Sequence, residues 1–95
     1  KTTALHQNFP NPFNPTTNLS FTVEKTGTAT VTVFNVLGQE VTTLFNATAQ
    51  AGRLYEVTFD ARNLPSGVYF YKLEIRNAKS EGVIWHETRR MILAK

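Results

Sequence analysis

The residues of this chain that could do chemistry are few and scattered. His6 and His86 are the only imidazoles in 95 residues, and neither has a second histidine or a carboxylate at the spacing a zinc ion needs. There is no cysteine, so thiolate ligands, thiol nucleophiles and disulfides are excluded. A Ser/His/Asp set can be assembled on paper from Ser66, His86 and Asp60. Ser66, however, stands in Leu64-Pro65-Ser66-Gly67, which lacks the flanking glycines of a nucleophile elbow, and it reads as a turn serine before a strand. A carboxylate pair such as Glu56 and Asp60 shares the outward face of one candidate strand, some distance apart, as solvated charge does. Phe70 and Trp85 are candidates for a flat platform that would stack on a sugar ring, although Trp85 suits a cover over the core better. The sequons Asn18-Leu19-Ser20 and Asn46-Ala47-Thr48 are given structural roles, since such triplets arise often by chance. No nucleophile, base or metal cluster converges, so the chain is expected to be neither an enzyme nor the holder of a cofactor.

The elements that would position a site are clearer. Three of the four prolines fall within six residues, in Asn8-Phe9-Pro10-Asn11-Pro12-Phe13-Asn14-Pro15. Proline fixes φ, removes a donor and pushes the preceding residue to extended geometry, so this stretch is expected to be a stiff polyproline-like strap, neither helix nor paired strand. Phe9 and Phe13 would pin it against the domain that follows. The boundaries expected are a linker and strap over 1–16 and a folded domain over 17–95.

Beyond the strap the pattern has period two. Leu19, Phe21 and Val23 alternate with polar residues, and residues 28–35 are β-branched at nearly every position. Leu37-Gly38-Gln39-Glu40 turns the chain into a short third strand around Val41, Thr43 and Phe45 whose buried face is ambiguous, followed by a loop over 47–52. Tyr55, Val57 and Phe59 form an inward set. Residues 61–67 carry Pro and Gly where a chain crosses between sheets. Residues 68–76 read as the longest strand, with Tyr69, Tyr71, Leu73 and Ile75 inward and Phe70 an odd member of the solvent face. A polar turn over 77–82, a short arm at Val83-Ile84-Trp85 and a closing strand over 88–94 complete the reading. Six or seven short strands without an amphipathic helix predict an all-β, immunoglobulin-like antiparallel β-sandwich.

Ninety-five residues suit one domain with one core. A formal charge of +3 without a dense basic run argues against a nucleic-acid partner. No apolar stretch approaches the ~20 residues of a membrane helix, so direct membrane insertion is not expected. The opening Lys1-Thr2-Thr3-Ala4, without an initiator methionine, fits a domain cut from the end of a larger polypeptide.

Four blocks occur in order: Leu5-x-Gln7-Asn8-Phe9-Pro10-Asn11-Pro12-Phe13-Asn14-Pro15-x-Thr17, Val33-Phe34-Asn35-x-Leu37-Gly38-Gln39-Glu40-Val41, Ser66-Gly67-Val68-Tyr69-Phe70-Tyr71-Lys72-Leu73, and Arg90-Met91-Ile92-Leu93-x-Lys95. Together they resemble the type A C-terminal sorting domain of the type IX secretion system. The resemblance implies a non-catalytic address tag on a larger cargo protein of Gram-negative bacteria, recognised in the periplasm by the translocon. It further implies removal by a sortase-like peptidase once the cargo has reached the cell surface or medium. Family motif positions are Asn8, Pro10, Asn11, Pro12, Phe13, Asn14, Pro15 and Gly38, with the Ser66-Gly67 approach. Residues 78–85 are longer and less typical than the family pattern, and Phe59 stands where it often has tryptophan.

The recognition element is expected in residues 89–95. Arg89, Arg90, Met91, Ile92, Leu93 and Lys95 would set cationic heads beside the open backbone of an edge strand, with Ser66 and Gly67 adjoining. Two other readings compete: a structural immunoglobulin-like module of the kind seen in flagellar-hook capping proteins, and a carbohydrate-binding accessory domain.

Overall fold

Alternating apolar and polar residues bury one side of each strand, and the fold is the pairing of those sides. The computed structural model describes residues 2–77 and 82–95. Its strands are β1 (Ala4–Leu5), β2 (Thr16–Thr22), β3 (Gly27–Phe34), β4 (Glu40–Ala49), β5 (Tyr55–Asp60), β6 (Gly67–Arg76) and β7 (Val83–Leu93). All pair antiparallel into two sheets, β1-β2-β5 and β4-β3-β6-β7, and among the described residues there is no helix. The inward residues of both sheets, including Leu19, Phe21, Val31, Val33, Phe59, Tyr71, Leu73 and Met91, form one buried core. This is an immunoglobulin-like β-sandwich. As the sequence indicates, residues 61–67 carry the chain from the three-stranded to the four-stranded sheet.

The ambiguous face of β4 has a physical cause. Register shifts lie between Val31/Thr32 and Val33/Phe34, so Leu44 and then Val41 are extra residues opposite β3. Each bulge resets the alternation, which lets Val41, Leu44 and Phe45 all pack against the core although they do not share one parity. β4 also runs to Ala49, where the sequence suggested a loop, because Ala47 and Ala49 find partners in Ala29 and Gly27. At Gly27 the strands approach so closely that a Cβ would lie 2.6 Å from the Arg76 carbonyl oxygen.

The C-terminal segment departs from expectation in a similar way. The arm at residues 83–85 and the strand at 88–94 are one strand, β7, which at 11 residues is longer than β6. β6 supplies a ladder partner for every residue of β7 but Ile84, which is bulged out, so the charged Glu87 and Arg89, which share the parity of Met91 and Leu93, do not interrupt it. Of the polar turn expected over 77–82, residues 78–81 lie outside the described residues, as do the first four of the less typical stretch 78–85.

The strap is more tightly built in than its prolines suggested. Leu5 belongs to β1 and pairs with Phe21, and Thr16 and Thr17 open β2. Phe9 forms an antiparallel bridge with Asn18, and Phe13 a parallel one with Leu93. The Phe9-Pro10, Asn11-Pro12 and Asn14-Pro15 bonds are cis, and the segment winds from β2 to β7 rather than running as an extended polyproline rod. Phe13 is 2% exposed, but Phe9 is 78% exposed, so only one of the two phenylalanines pins the strap.

Candidate functional site

One end of the sandwich gathers the four sequence blocks. Phe34 at the end of β3 lies opposite Phe70, and Gly67 at the start of β6 lies opposite Leu93. The β3–β4 hairpin, the corner at residues 61–67, the strap and the last residues of the chain therefore share this pole. The Ala61 N–H donates to the Pro15 carbonyl (2.8 Å), and the Lys95 N–H donates to Ser66 Oγ (3.0 Å). Lys95 Nζ donates to the Arg62 carbonyl (2.6 Å). Arg62 in turn pairs with Asp60 at 2.7 Å, and its hydrogen bonds hold that carboxyl below the usual carboxylate range. A groove of about 280 Å³ opens between hairpin and corner, lined by Val36, Leu37, Val41, Leu64 and Val68 among others.

Each loop here has its own fastening. In the hairpin, Asn35 Oδ1 accepts from the N–H groups of Leu37 and Gln39, and Gly38 supplies the positive φ (79°) the turn requires. At the corner, the Tyr69 hydroxyl donates 2.7 Å back to the Pro65 carbonyl, the tyrosine corner of immunoglobulin-like sandwiches.

The strap closes the seam between β2 and β7 and occupies the lower edge of β7. The Phe13 N–H donates to the Ile92 carbonyl and the Ala94 N–H to the Phe13 carbonyl, both at 2.9 Å. Asn11 Oδ1 accepts from the Ile92 N–H (3.0 Å), and Gln7 Nε2 donates to the Arg90 carbonyl (2.9 Å). The edge expected to be open to a partner is thus paired with the chain's own N-terminal segment over residues 90–94. Below it lies a buried polar network. Asn8 Nδ2 donates to Thr17 Oγ1 (3.0 Å) and to the Pro10 carbonyl (3.1 Å), to which Thr17 also donates (2.8 Å). The Tyr71 hydroxyl accepts from the Asn8 N–H and donates to the His6 carbonyl, each at 2.8 Å. Burial pushes the Tyr71 phenol up to about 12, against a smaller opposing effect of the Asn8 hydrogen bond. Among the described residues no buried side-chain donor or acceptor lacks a partner.

The expected recognition residues divide by parity. Met91 and Leu93 are core. Arg89 turns into the seam, where Nε donates to the Leu5 carbonyl (2.7 Å) and the guanidinium pairs with Glu87 (3.1 Å). Arg90, Ile92 and Lys95 are exposed, as are Ser66 and Gly67. Of the motif positions, Asn8 and Phe13 are buried, Asn11, Pro10 and Pro15 fix the strap through their oxygens, and Pro12 and Asn14 are exposed. Tyr69 and Tyr71 were legible only as inward residues and Thr17 only as the end of the first sequence block; their hydroxyl partners were not. A Tyr four residues after a Pro at a strand start is the one signal that could have revealed the corner.

The other candidate chemistry does not assemble. Ser66 precedes β6, whereas His86 lies opposite Glu74, eight residues along, or about 26 Å at the rise of a strand. Glu56 and Asp60 both point outward on β5. Among the described residues no three His, Asp or Glu side chains are grouped as metal ligands. Phe70 faces out of the sheet opposite Arg90, while Trp85 has the opposite parity and packs against the core, so the two rings do not make one platform.

The model of the family described as the secretion system C-terminal sorting domain matches residues 7–84, the strap through the start of β7. The chain belongs to that family. A sorting domain of this kind is the C-terminal signal for type IX secretion, a non-catalytic role that directs a cargo polypeptide to the cell surface or medium. Among curated proteins none matches the sorting domain. The matched span includes the strap, the hairpin and the corner, so three of the four segments at the motif pole lie within it.

Proposed function

We propose that this sorting domain works through its exterior alone, making and breaking no covalent bond, and that the type IX translocon reads it at the motif pole after transit through the periplasm. The surface offered comprises Arg90, Ile92 and Lys95 of the terminal strand with Ser66 and Gly67 of the corner. Arg89, Met91 and Leu93 hold that strand in place from the inner side. The observation that supports this reading is the convergence of all four sequence blocks on one pole, where the strap and the C-terminal strand are hydrogen-bonded to each other. A signal made from both ends of the domain is present only when the domain has folded. A sortase-like peptidase at the cell surface then removes it from the cargo.

The test is a reporter carrying an N-terminal export signal and residues 1–95 as a C-terminal fusion, in a host that has this translocon. Secretion of the fusion is expected, and its retention in the periplasm with the domain folded would refute the reading. Arg90→Glu with Ile92→Glu, which alter two exposed side chains and no core contact, should cause retention without loss of folding.

A further inference from the structure

We propose that the edge of β7 from His86 to Arg90, upstream of the strap, is a β-augmentation site. There an extended polypeptide segment of the export machinery, carrying a carboxylate opposite Arg90, adds as a fifth strand. The inference rests on the reading of the terminal strand as the recognised element and names the chemistry of its partner.

The main chain supplies the first argument. In an antiparallel ladder, alternate residues turn both their N–H and C=O toward or away from the neighbouring strand. The Arg90 carbonyl and both main-chain groups of Ile92 bond the strap, so they face away from β6, and the same parity places His86 and Thr88 outward too. The N–H and C=O of His86 and of Thr88, and the N–H of Arg90, have no hydrogen-bond partner among the described residues. They span about 16 Å, the length of an ordinary five-residue strand.

Other exposed edges in this sheet are blunted. β4 carries two bulges, and residues 90–94 of β7 are covered by the strap. Residues 86–90 have neither proline nor register shift, two of the devices that discourage edge pairing, and the inward-parity charges Glu87 and Arg89, a third such device, are paired with each other. The strap itself shows that this edge accepts an extended chain, since Phe13 joins it in parallel at Leu93. An added strand would continue that line.

Side chains then select the partner. His86, Thr88 and Arg90 line the solvent face of the open edge. On the same sheet Lys72 pairs with Glu74, and Arg89 with Glu87, whereas the Arg90 guanidinium has no carboxylate partner among the described residues. Facing an added strand, Arg90 calls for an acidic side chain.

Thr88→Pro deletes one outward N–H and no β6 hydrogen bond, a placement proline tolerates on an edge. In the reporter fusion it is expected to lower the secreted fraction about tenfold, the scale of one lost hydrogen bond plus the clash of the ring, while Thr88→Ala secretes normally. Arg90→Glu should be retained and Arg90→Lys secreted. Wild-type secretion of a folded Thr88→Pro fusion would overturn the inference and leave the sorting reading intact, whereas failure of the unaltered fusion would fault the sorting reading instead. Amide hydrogen exchange in the unaltered chain gives an independent check. The His86 and Thr88 amides should exchange freely beside protected Glu87 and Arg89, and protection of all four would equally overturn the proposal.

Discussion

The Tyr71 hydroxyl lies 2.8 Å from the main-chain nitrogen of Asn8, 63 residues earlier in the chain. It also donates to the His6 carbonyl, so one buried phenol fastens the strap to the middle of β6. Tyr71→Phe should leave an N–H and a C=O unpaired under the strap and destabilise the domain by about 1–3 kcal/mol. Urea unfolding measures the loss, and limited proteolysis should show new cleavage between residues 9 and 15. An unchanged midpoint and unchanged protection of the strap would show that the phenol does not fasten it.

Alkaline pH should act through the same group. The folded-state value, about 12, lies above the ordinary value of 10, so the fold favours the neutral phenol. That contribution is complete below pH 10, declines between pH 10 and 12 and is gone above it. Across this window the wild type should lose stability relative to Tyr71→Phe, whose residue 71 cannot ionise. Parallel curves for the two proteins would contradict the assignment.

Gly27→Ala places a methyl group 2.6 Å from a backbone carbonyl oxygen of β6, which cannot rotate away as a side chain could. The strands must separate locally, at a cost of about 1–3 kcal/mol. Thermal unfolding should register a lower midpoint, and the loss should not depend on salt.

Neighbouring residues of β7 should behave oppositely. Met91 is fully buried, and Met91→Ala should cost about 2–5 kcal/mol through the cavity it leaves. Ile92→Ser, on the exposed side, should change stability by only about 0.5 kcal/mol or less yet reduce secretion of a fused reporter. Secretion that tracks stability alone across both variants would remove the terminal strand as a recognition element.

Much of the fold was written locally. Alternation at Leu19, Phe21 and Val23, at Tyr55, Val57 and Phe59, and along Tyr69 to Ile75 fixed strand faces, because a pleated backbone sends successive side chains to opposite sides whatever the partner. Pro and Gly around residues 61–67 likewise marked the crossover between sheets, and the first three of the four blocks, from Gln7 onward, fall in the span that shows the family. Where partners from distant sequence decide, the chain alone was silent. The bulges at Leu44 and Val41 exist only against β3, and β7 stays one strand past Glu87 and Arg89 only because β6 runs beside it. The strap's asparagines and prolines announced stiffness, but not that Asn11 and Phe13 would take the edge of the last strand. Hydrogen bonds between residues some 80 positions apart are set by how two sheets close on each other, and no local pattern encodes that closure.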